Sequence, residues 1–560
     1  MRGIYKKVVL SQIPRILSLE DRNNLSRTYG CLDRQYWHYK TFQEFPSSTY
    51  QQPVLTLGLL YKNNFEGNLY YRKIPVLNWV IAGMLFWCNS QKSDGSFDEW
   101  YINEHSFCAT AFTSWAISET YMLLEDELPQ EVKTKVAAAL FRSGVWMIHN
   151  DHPLVANQRI AAMHSLHNIG EICKNEDFLK GAERKKTAIL DTQDEEGWFP
   201  EYEGADIGYS LVQLEILASF YNKTKDAGIL AAIDKLIDFI YPFILPDGSI
   251  SDECGSRSGQ YLQPNGLETA AFHNNKARVI LKRFLDGLER DAGLNPYSID
   301  DKYLAYFYIN SFAKALCSDS FTSFQDCDED REYLRIFKNA GFLAFKNGTY
   351  HINISFFRNG VVRIYHKGRL VYSDLGYLAE MNNGRQIYSY AYTRNRHFDI
   401  STFHKGKCVV CVKGDFVHVK DSLPLIKYIV PFKLFTGFIL KNDFIARMFK
   451  GWLISKRICF SKSEGLLLTR EVTLSDASVE VNDSIIKKGR ADISRMGIQR
   501  SMNIPSTPSA RYFLHSQLDA GDDLVDTEAI NSLNSSGEVR FSTKIALQGE
   551  TQVSRDMIKE

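Results

Sequence analysis

Four short stretches in the first half of this 560-residue chain carry side chains able to do chemistry. Glu104-His105-Ser106 sets a carboxylate beside an imidazole. The run from Asn150 to Arg159 contains His152 and Asn157, the latter at the head of a helix-forming segment. The run from Gln193 to Tyr209 gathers Glu201, Tyr202, Glu203, Asp206 and Tyr209 behind a Gly197-Trp198 turn. Its carboxylates accept hydrogen bonds from hydroxyls, and the faces of Trp198 and the tyrosines suit a ring-shaped ligand. The run from Glu253 to Glu268 holds Arg257, a fork for a carboxylate or sulfate, and Tyr261. A loop so rich in Gly, Ser and Arg is costly to order, which argues that it has a task. Ahead of all four, Gly30 to Tyr39 places Arg34 and Trp37 in a short non-periodic segment that faces something. Two carboxylates among Glu104, Glu201, Glu203, Asp206 and Glu253 could act as acid and base on a glycosidic bond. Each feature also has an ordinary reading. An Asn at a helix start caps it, Trp198 can simply be buried, and Arg34 can pair with Asp33.

The elements that must hold these residues are helices. From about 52 to 335 apolar residues recur at i, i+3, i+4 and i+7, as in Val76 to Trp87, Cys108 to Leu124 and Tyr209 to Tyr221. Between them a turn repeats as acid, Gly, small or aromatic, apolar: Asp94-Gly95-Ser96-Phe97, Glu196-Gly197-Trp198-Phe199 and Asp247-Gly248-Ser249-Ile250. The interval is about 50 residues, one helical hairpin, with Gly144-Val145-Trp146 near the missing midpoint. Repeated hairpins stack as a solenoid or close as an (α/α) toroid, so loops of one phase gather on one face and make a cleft.

After about 340 the period becomes two. Gly348 to Phe357 and Val361 to Tyr365 alternate, and Lys367-Gly368-Arg369-Leu370 reads as a hairpin turn. Further strands are expected at Cys408–Val419, Gly465–Val472, Ser478–Val481, Arg511–Leu514 and Val539–Leu547, followed by a frayed tail from about 549. The chain is therefore expected to be an α+β multidomain protein: a lead-in over 1–50, an (α/α) toroid over 51–335, and an antiparallel β-sandwich over 336–560.

Lys plus Arg equals Asp plus Glu at 66 each, which gives no electrostatic case for nucleic acid or an anionic membrane. No apolar run reaches spanning length; the nearest, Leu423 to Leu440, is broken by Lys427 and Lys433 and reads as a packed or interfacial segment. The ten cysteines are scattered, and the N-terminus shows no signal-like segment, so a cytoplasmic protein with reduced thiols is expected. Asp326 to Asp330 fails as a calcium loop because Arg331 and Phe337 stand where Gly and Glu are needed. No metal or other cofactor is called for, although a sandwich of this size could hold a structural divalent cation.

Helical hairpins followed by a sandwich, with Asn157 at a helix head and Tyr209 in a Gly-Trp-Phe-Pro-Glu-Tyr…Gly-Tyr segment one hairpin later, resemble the heparinase II/III-like polysaccharide lyases. The resemblance implies β-elimination on an acidic, uronic-acid-containing glycan, with Asn157 and Tyr209 catalytic and a histidine from the sandwich, His351, as their partner. His397 is a second histidine in that region. Arg34, Trp37, Glu104, His152, Trp198, Glu201, Tyr202, Arg257, Tyr261 and His397 are then expected to bind the substrate. Elimination makes chemical sense of these types, because the uronate carboxylate must be neutralised before its α-proton can leave. A glycoside hydrolase on the same scaffold and a non-catalytic glycan-binding protein of surface-polysaccharide synthesis are the alternatives. A terpene-cyclase toroid is disfavoured because no Asp-x-Asp-Asp cluster is present.

Overall fold

The structure is a computed structural model that describes residues 2–39, 43–202, 204–318, 324, 332–348, 350–394, 396–403, 407–419, 426–453, 463–490, 492–502, 512–515, 518, 523–547 and 551–558. The acidic run at 326–330 and Glu203 lie outside them.

Thirteen helices come first: α1 Arg2–Leu19, α2 Val54–Lys62, α3 Ile74–Ser90, α4 Phe107–Leu124, α5 Gln130–His149, α6 Ala156–Cys173, α7 Glu176–Leu190, α8 Ile207–Thr224, α9 Ala227–Ile240, α10 Pro264–Ala271, α11 Asn275–Glu289, α12 Asp301–Tyr303 and α13 Ile309–Leu316. Contacts run α2 to α4 to α6 to α8 to α10 to α13 and back to α2, which closes an inner ring of six. An outer helix backs each inner one, with α1 against α13, α3 against α2 and α11 against α10. The toroid is therefore closed. Inner helices such as α6 and α8 are buried nearly all round, whereas outer α9 and α11 bury one stripe.

Every outer-to-inner connection lies on the same face, so the inner helices point their N-termini there. The repeated turn is what holds those connections down. Gly95, Gly197 and Gly248 all have positive φ, and a Cβ on each would lie 2.2 to 2.5 Å from a carbonyl oxygen of the next outer helix: Arg142, Lys235 and Arg283. In the first two, a glutamine four residues upstream completes the latch. Gln91 Nε2 donates to the carbonyls of Gly95 and Ala139, and Gln193 Nε2 to those of Gly197 and Ala232. Gly144 is not a member of this series. It sits inside α5, where its missing side chain makes room for the Phe178 ring.

Strands β1 Tyr333–Phe337, β2 Phe342–Asn347, β3 Tyr350–Ser355, β4 Val361–His366 and β5 Arg369–Asp374 form an antiparallel meander. The turn between β4 and β5 has Lys367 and Gly368 both at positive φ, as a two-residue hairpin of right-handed twist requires. Ten more strands, β6 Gly376–Met381, β7 Gln386–Tyr388, β8 His397–Phe403, β9 Lys407–His418, β10 Ser463–Leu474, β11 Ser478–Lys487, β12 Ile493–Gln499, β13 Asp523–Leu524, β14 Glu538–Ala546 and β15 Gln552–Ile558, make the second sheet. The sheets share a core that includes Ile352, Ile354, Val410 and Val472. The tail expected to fray instead pairs with β14 as β15, and the described residues 512–514 are not a strand.

The other face of the first sheet is buried against the toroid. Asn353 Nδ2 donates to Ser251 Oγ, Ser355 Oγ to the Cys254 carbonyl, and Arg363 pairs with Glu253 at 2.8 Å. Two helices between β9 and β10, α14 Ile426–Leu434 and α15 Asp443–Leu453, return from the sandwich to lie over the loop face of the toroid. A last helix, α16 Thr527–Ser536, packs on the second sheet. The eight described cysteines are all free. No described helix is long and apolar enough to cross a membrane.

Candidate active site

A cavity enclosing about 990 Å³, its open mouth included, lies at the N-terminal ends of the inner helices, under α15. Four of the sequence stretches meet there: Glu104, His152 and Asn157, Tyr202 and Tyr209, and Arg257 all line it. Inner-helix N-termini carry partial positive charge, which favours an anionic ligand in this place. A second hollow, sharing Glu99, Trp100 and Tyr101 with the first, lies beside it along α14.

Glu201 organises the floor. Its carboxylate is fully buried and accepts the Asn157 backbone N–H at 3.0 Å, Asn157 Nδ2 at 2.7 Å, Gln213 Nε2 at 2.8 Å and Arg257 Nη1 at 3.1 Å. A sealed carboxylate surrounded by several donors fixes where those donors sit. Glu201 thus positions Asn157 and Arg257 and does not itself line the cavity.

Asp206 caps α8. It accepts the backbone N–H groups of Tyr209 at 3.0 Å and Arg257 at 2.8 Å, and burial pushes its carboxyl up to about 6. Gly208 and Gly259 make the junction feasible, since a Cβ on Gly208 would sit 2.2 Å from the Gly259 carbonyl oxygen. The result brings the Arg257 guanidinium carbon 3.5 Å from the Tyr209 ring centroid and 4.9 Å from that of Tyr202. Behind Tyr209, Tyr261 and Phe307 meet edge to face, and Tyr261 stacks on Tyr303. Tyr261 therefore backs the Tyr209 ring and does not itself line the cavity. Tyr202 adopts φ +58, as do Asn103 (+58), His105 (+50) and Ser258 (+55) on neighbouring loops. Left-handed backbone at non-glycine residues costs energy and clusters where function demands a geometry.

His152 meets Tyr202 edge to face, with ring centroids 6.2 Å apart, and its buried Nδ1 has no hydrogen-bond partner among the described residues. Burial, with the cationic Lys450 nearby, lowers its pKa to about 4, so the imidazole is neutral near pH 7. Three cations stand in or beside the cavity, each against a carboxylate: Arg257 with Glu201, Lys450 with Glu104 at 2.7 Å, and, in the adjoining hollow, Lys302 with Glu99 at 3.1 Å. Lys450, Glu99, Tyr303 and Tyr306 line the cavity without having stood out in the sequence. Lys450 arrives from a helix inserted between strands, a route that no local pattern near the toroid loops could reveal.

The remaining expected residues lie elsewhere. His351, on β3, is buried with Nε2 2.7 Å from the Pro242 carbonyl and 3.1 Å from the Tyr333 hydroxyl, where it fastens sandwich to toroid. The structure does not bring it to the cavity. His397 is exposed at the start of β8. Trp37 donates to the Leu19 carbonyl and Arg34 to that of Ser18, and neither lines the cavity. Trp198 is buried under Arg394, its Nε1 donating to Glu196. Glu253 is taken up by Arg363 at the sheet interface. Among the described residues no group of three or more His, Cys, Asp or Glu could hold a metal.

Residues 78–262, which carry most of the cavity-forming loops, match the family model of the Ulvan lyase N-terminal domain. The whole chain has the fold of the chondroitin AC lyase of Streptomyces coelicolor A3 solved with chondroitin sulphate, at TM-score 0.54 and 10% identity, over 98% of this chain and 85% of that one. A point mutant of the same lyase superposes at TM-score 0.50, with the same identity and coverage. Heparinase III is a weaker likeness, at TM-score 0.45 and 10% identity, over 97% of this chain and all of that one. Curated proteins give no match. The toroid-plus-sandwich architecture and the likeness to heparinase-like polysaccharide lyases expected from the sequence are both found.

Proposed function

We propose that this protein cleaves an acidic, uronic-acid-containing polysaccharide by β-elimination in the cavity below α15. The observation that carries the reading is the convergence of Arg257, Tyr209, Asn157 and a neutral His152 at the N-termini of the inner helices, on a fold shared with a chondroitin AC lyase.

Elimination removes the proton α to the uronate carboxylate, forms the carbon–carbon double bond, breaks the β carbon–oxygen bond and delivers a proton to the leaving oxygen. Arg257 and the helix N-termini offset the carboxylate charge that would otherwise oppose the enolate-like transition state. Asn157 Nδ2 is committed to both oxygens of Glu201, so Arg257 takes the task of neutralising the substrate carboxylate. His152, neutral in its buried setting, can accept the α-proton as it stands. The Tyr209 phenol supplies the proton for the leaving oxygen, and the guanidinium on its ring favours the negative charge left behind. Trp100, Tyr202, Tyr303 and Tyr306 offer faces for sugar rings.

A hydrolase needs a protonated carboxyl in the cavity. Glu99 is instead held low by Lys302 and Lys450 against the opposing effect of burial, and Asp206 is occupied as a helix cap. The test is a panel of acidic polysaccharides followed in the near ultraviolet. A lyase releases an absorbing unsaturated uronate, a hydrolase releases reducing ends without it, and a binding protein does neither. Absence of the chromophore on every uronic-acid polymer would overturn the proposal.

A further inference from the structure

Helices α14 and α15, with the turn of π-helix Phe435–Ile439 between them, are apolar on two opposite sides. One side belongs to the protein. Phe432 meets Tyr101 edge to face, Phe435 packs on Phe449, and Ala446 is fully buried. On α15 the inward residues Ala446, Phe449, Lys450 and Leu453 follow one helical stripe.

The other side faces solvent. Phe444, Met448 and Trp452, each four residues on from the last, are 64%, 63% and 53% exposed. Val430, Leu434 and Phe438 repeat the spacing on the first segment at 57%, 56% and 69%. With Ile439 and Ile445, eight large exposed apolar side chains of the described residues fall in this one hairpin without lining either hollow. Large apolar side chains clustered on one exposed face mark protein or membrane interaction sites.

Composition says which partner. Although the whole chain is neutral, residues 426–453 carry five Lys or Arg and a single acid; Lys450 turns inward to Glu104 and Lys433 reaches Glu44, while Lys427 and Lys441 stand beside the exposed Tyr428 and Phe438. Aromatic side chains stand beside lysines, the mixture found where helices rest at a lipid headgroup boundary. Neither helix can cross a bilayer; they are short, and Pro431 interrupts the first. A second copy of this chain would present the same positive charge and repel.

We propose that the α14–α15 hairpin docks the protein on an anionic lipid surface, with Val430, Leu434, Phe438, Phe444, Met448 and Trp452 entering the headgroup region. Because Lys450 and Leu453 on the opposite side of α15 line the cavity, docking holds the cavity mouth one helix away from the membrane. The inference stands apart from the elimination reading, since lipid binding is measured without substrate.

The test is flotation of the full-length chain with phosphatidylcholine vesicles, with and without phosphatidylglycerol. The expected result is recovery with the anionic vesicles, at least tenfold lower recovery with neutral ones, and release by salt. Phe438→Asp combined with Phe444→Asp should abolish recovery while leaving the melting temperature unchanged, because both side chains are exposed. A second, independent readout is quenching of tryptophan fluorescence by brominated lipid, which should fall in Trp452→Ala. The proposal is overturned if the chain ignores anionic vesicles, if the double substitution binds as well as the parent, or if sedimentation shows the face buried in a stable dimer.

Discussion

Arg257 lies on Tyr209, its guanidinium carbon 3.5 Å from the ring centroid, and both are anchored by the same carboxylate. Asp206 accepts the backbone N–H of each, so the two are set by one cap at the start of α8. A cation on a phenol ring stabilises negative charge on its oxygen. Replacing Tyr209 by Phe removes only the hydroxyl. Turnover of an acidic polysaccharide should fall by about 10²–10⁴-fold, the usual worth of a positioned acid or base. The melting temperature should stay within a degree or two of the parent, because the ring and its packing remain. Retained turnover in Tyr209→Phe would remove the phenol from the mechanism.

Arg257→Lys tests the stacking in a different way. Lysine keeps the charge but has no planar fork to lie on two rings while reaching Glu201. KM for an acidic substrate should rise and kcat should fall together. A variant with parental kinetics would show that only charge is needed.

Glu201→Gln should act through position. The substitution leaves Arg257 buried without its counter-charge and turns one acceptor oxygen into a donor that faces Asn157 Nδ2 and Gln213 Nε2. Removing one partner of a buried ion pair costs about 3–5 kcal/mol. Urea denaturation should show a loss of that order, with activity lost as well. If stability is unchanged, the contacts of Glu201 with Asn157, Gln213 and Arg257 do not hold the floor together.

The latch glycines should be irreplaceable for a plain geometric reason. Gly197 has φ +100, and an added Cβ would meet the Lys235 carbonyl oxygen at 2.2 Å. Gly197→Ala must move the α7–α8 connection off α9 and is expected to cost several kcal/mol, about the upper range of single substitutions. Gly384→Ala, at another positive φ with nothing within 4 Å, is the control and should cost about 1 kcal/mol of backbone strain alone. Equal melting temperatures for the two would remove the packing argument.

These same glycines explain how much the sequence disclosed. The helix period and the Gly turns at 95, 197 and 248 are local signals, so the toroid and its loop face are legible from them. Asn157, Tyr209, Tyr202, His152 and Arg257 are legible because each sits in a connection of the same phase. His351 misleads because β3 alternates polar and apolar as a half-solvated strand does, yet its polar side is buried on the toroid. Lys450 is invisible because its partner Glu104 lies in a different domain, and the inserted helices α14 and α15 read from composition alone as a broken apolar run.

The acidity of His152 gives the sharpest separation between a buried working base and a surface histidine. Its folded pKa of about 4 lies below the ordinary 6.5, so between those values the unfolded chain binds the proton more readily. Stability from this residue is then full above about pH 6.5 and lost progressively as pH falls toward 4. Discounted for the partial exposure of the ring, that loss is about 1–2 kcal/mol. His152→Gln should flatten this part of the stability profile measured by urea denaturation at pH 4.5 and 7.5. Activity gives the independent reading. If His152 takes the α-proton, the acid limb of kcat should fall near pH 4 to 5 and not near 6.5, and His152→Gln should abolish turnover at every pH. A limb at 6.5 would mean that the imidazole is exposed to solvent in the working enzyme, and the base would have to be sought in Tyr209.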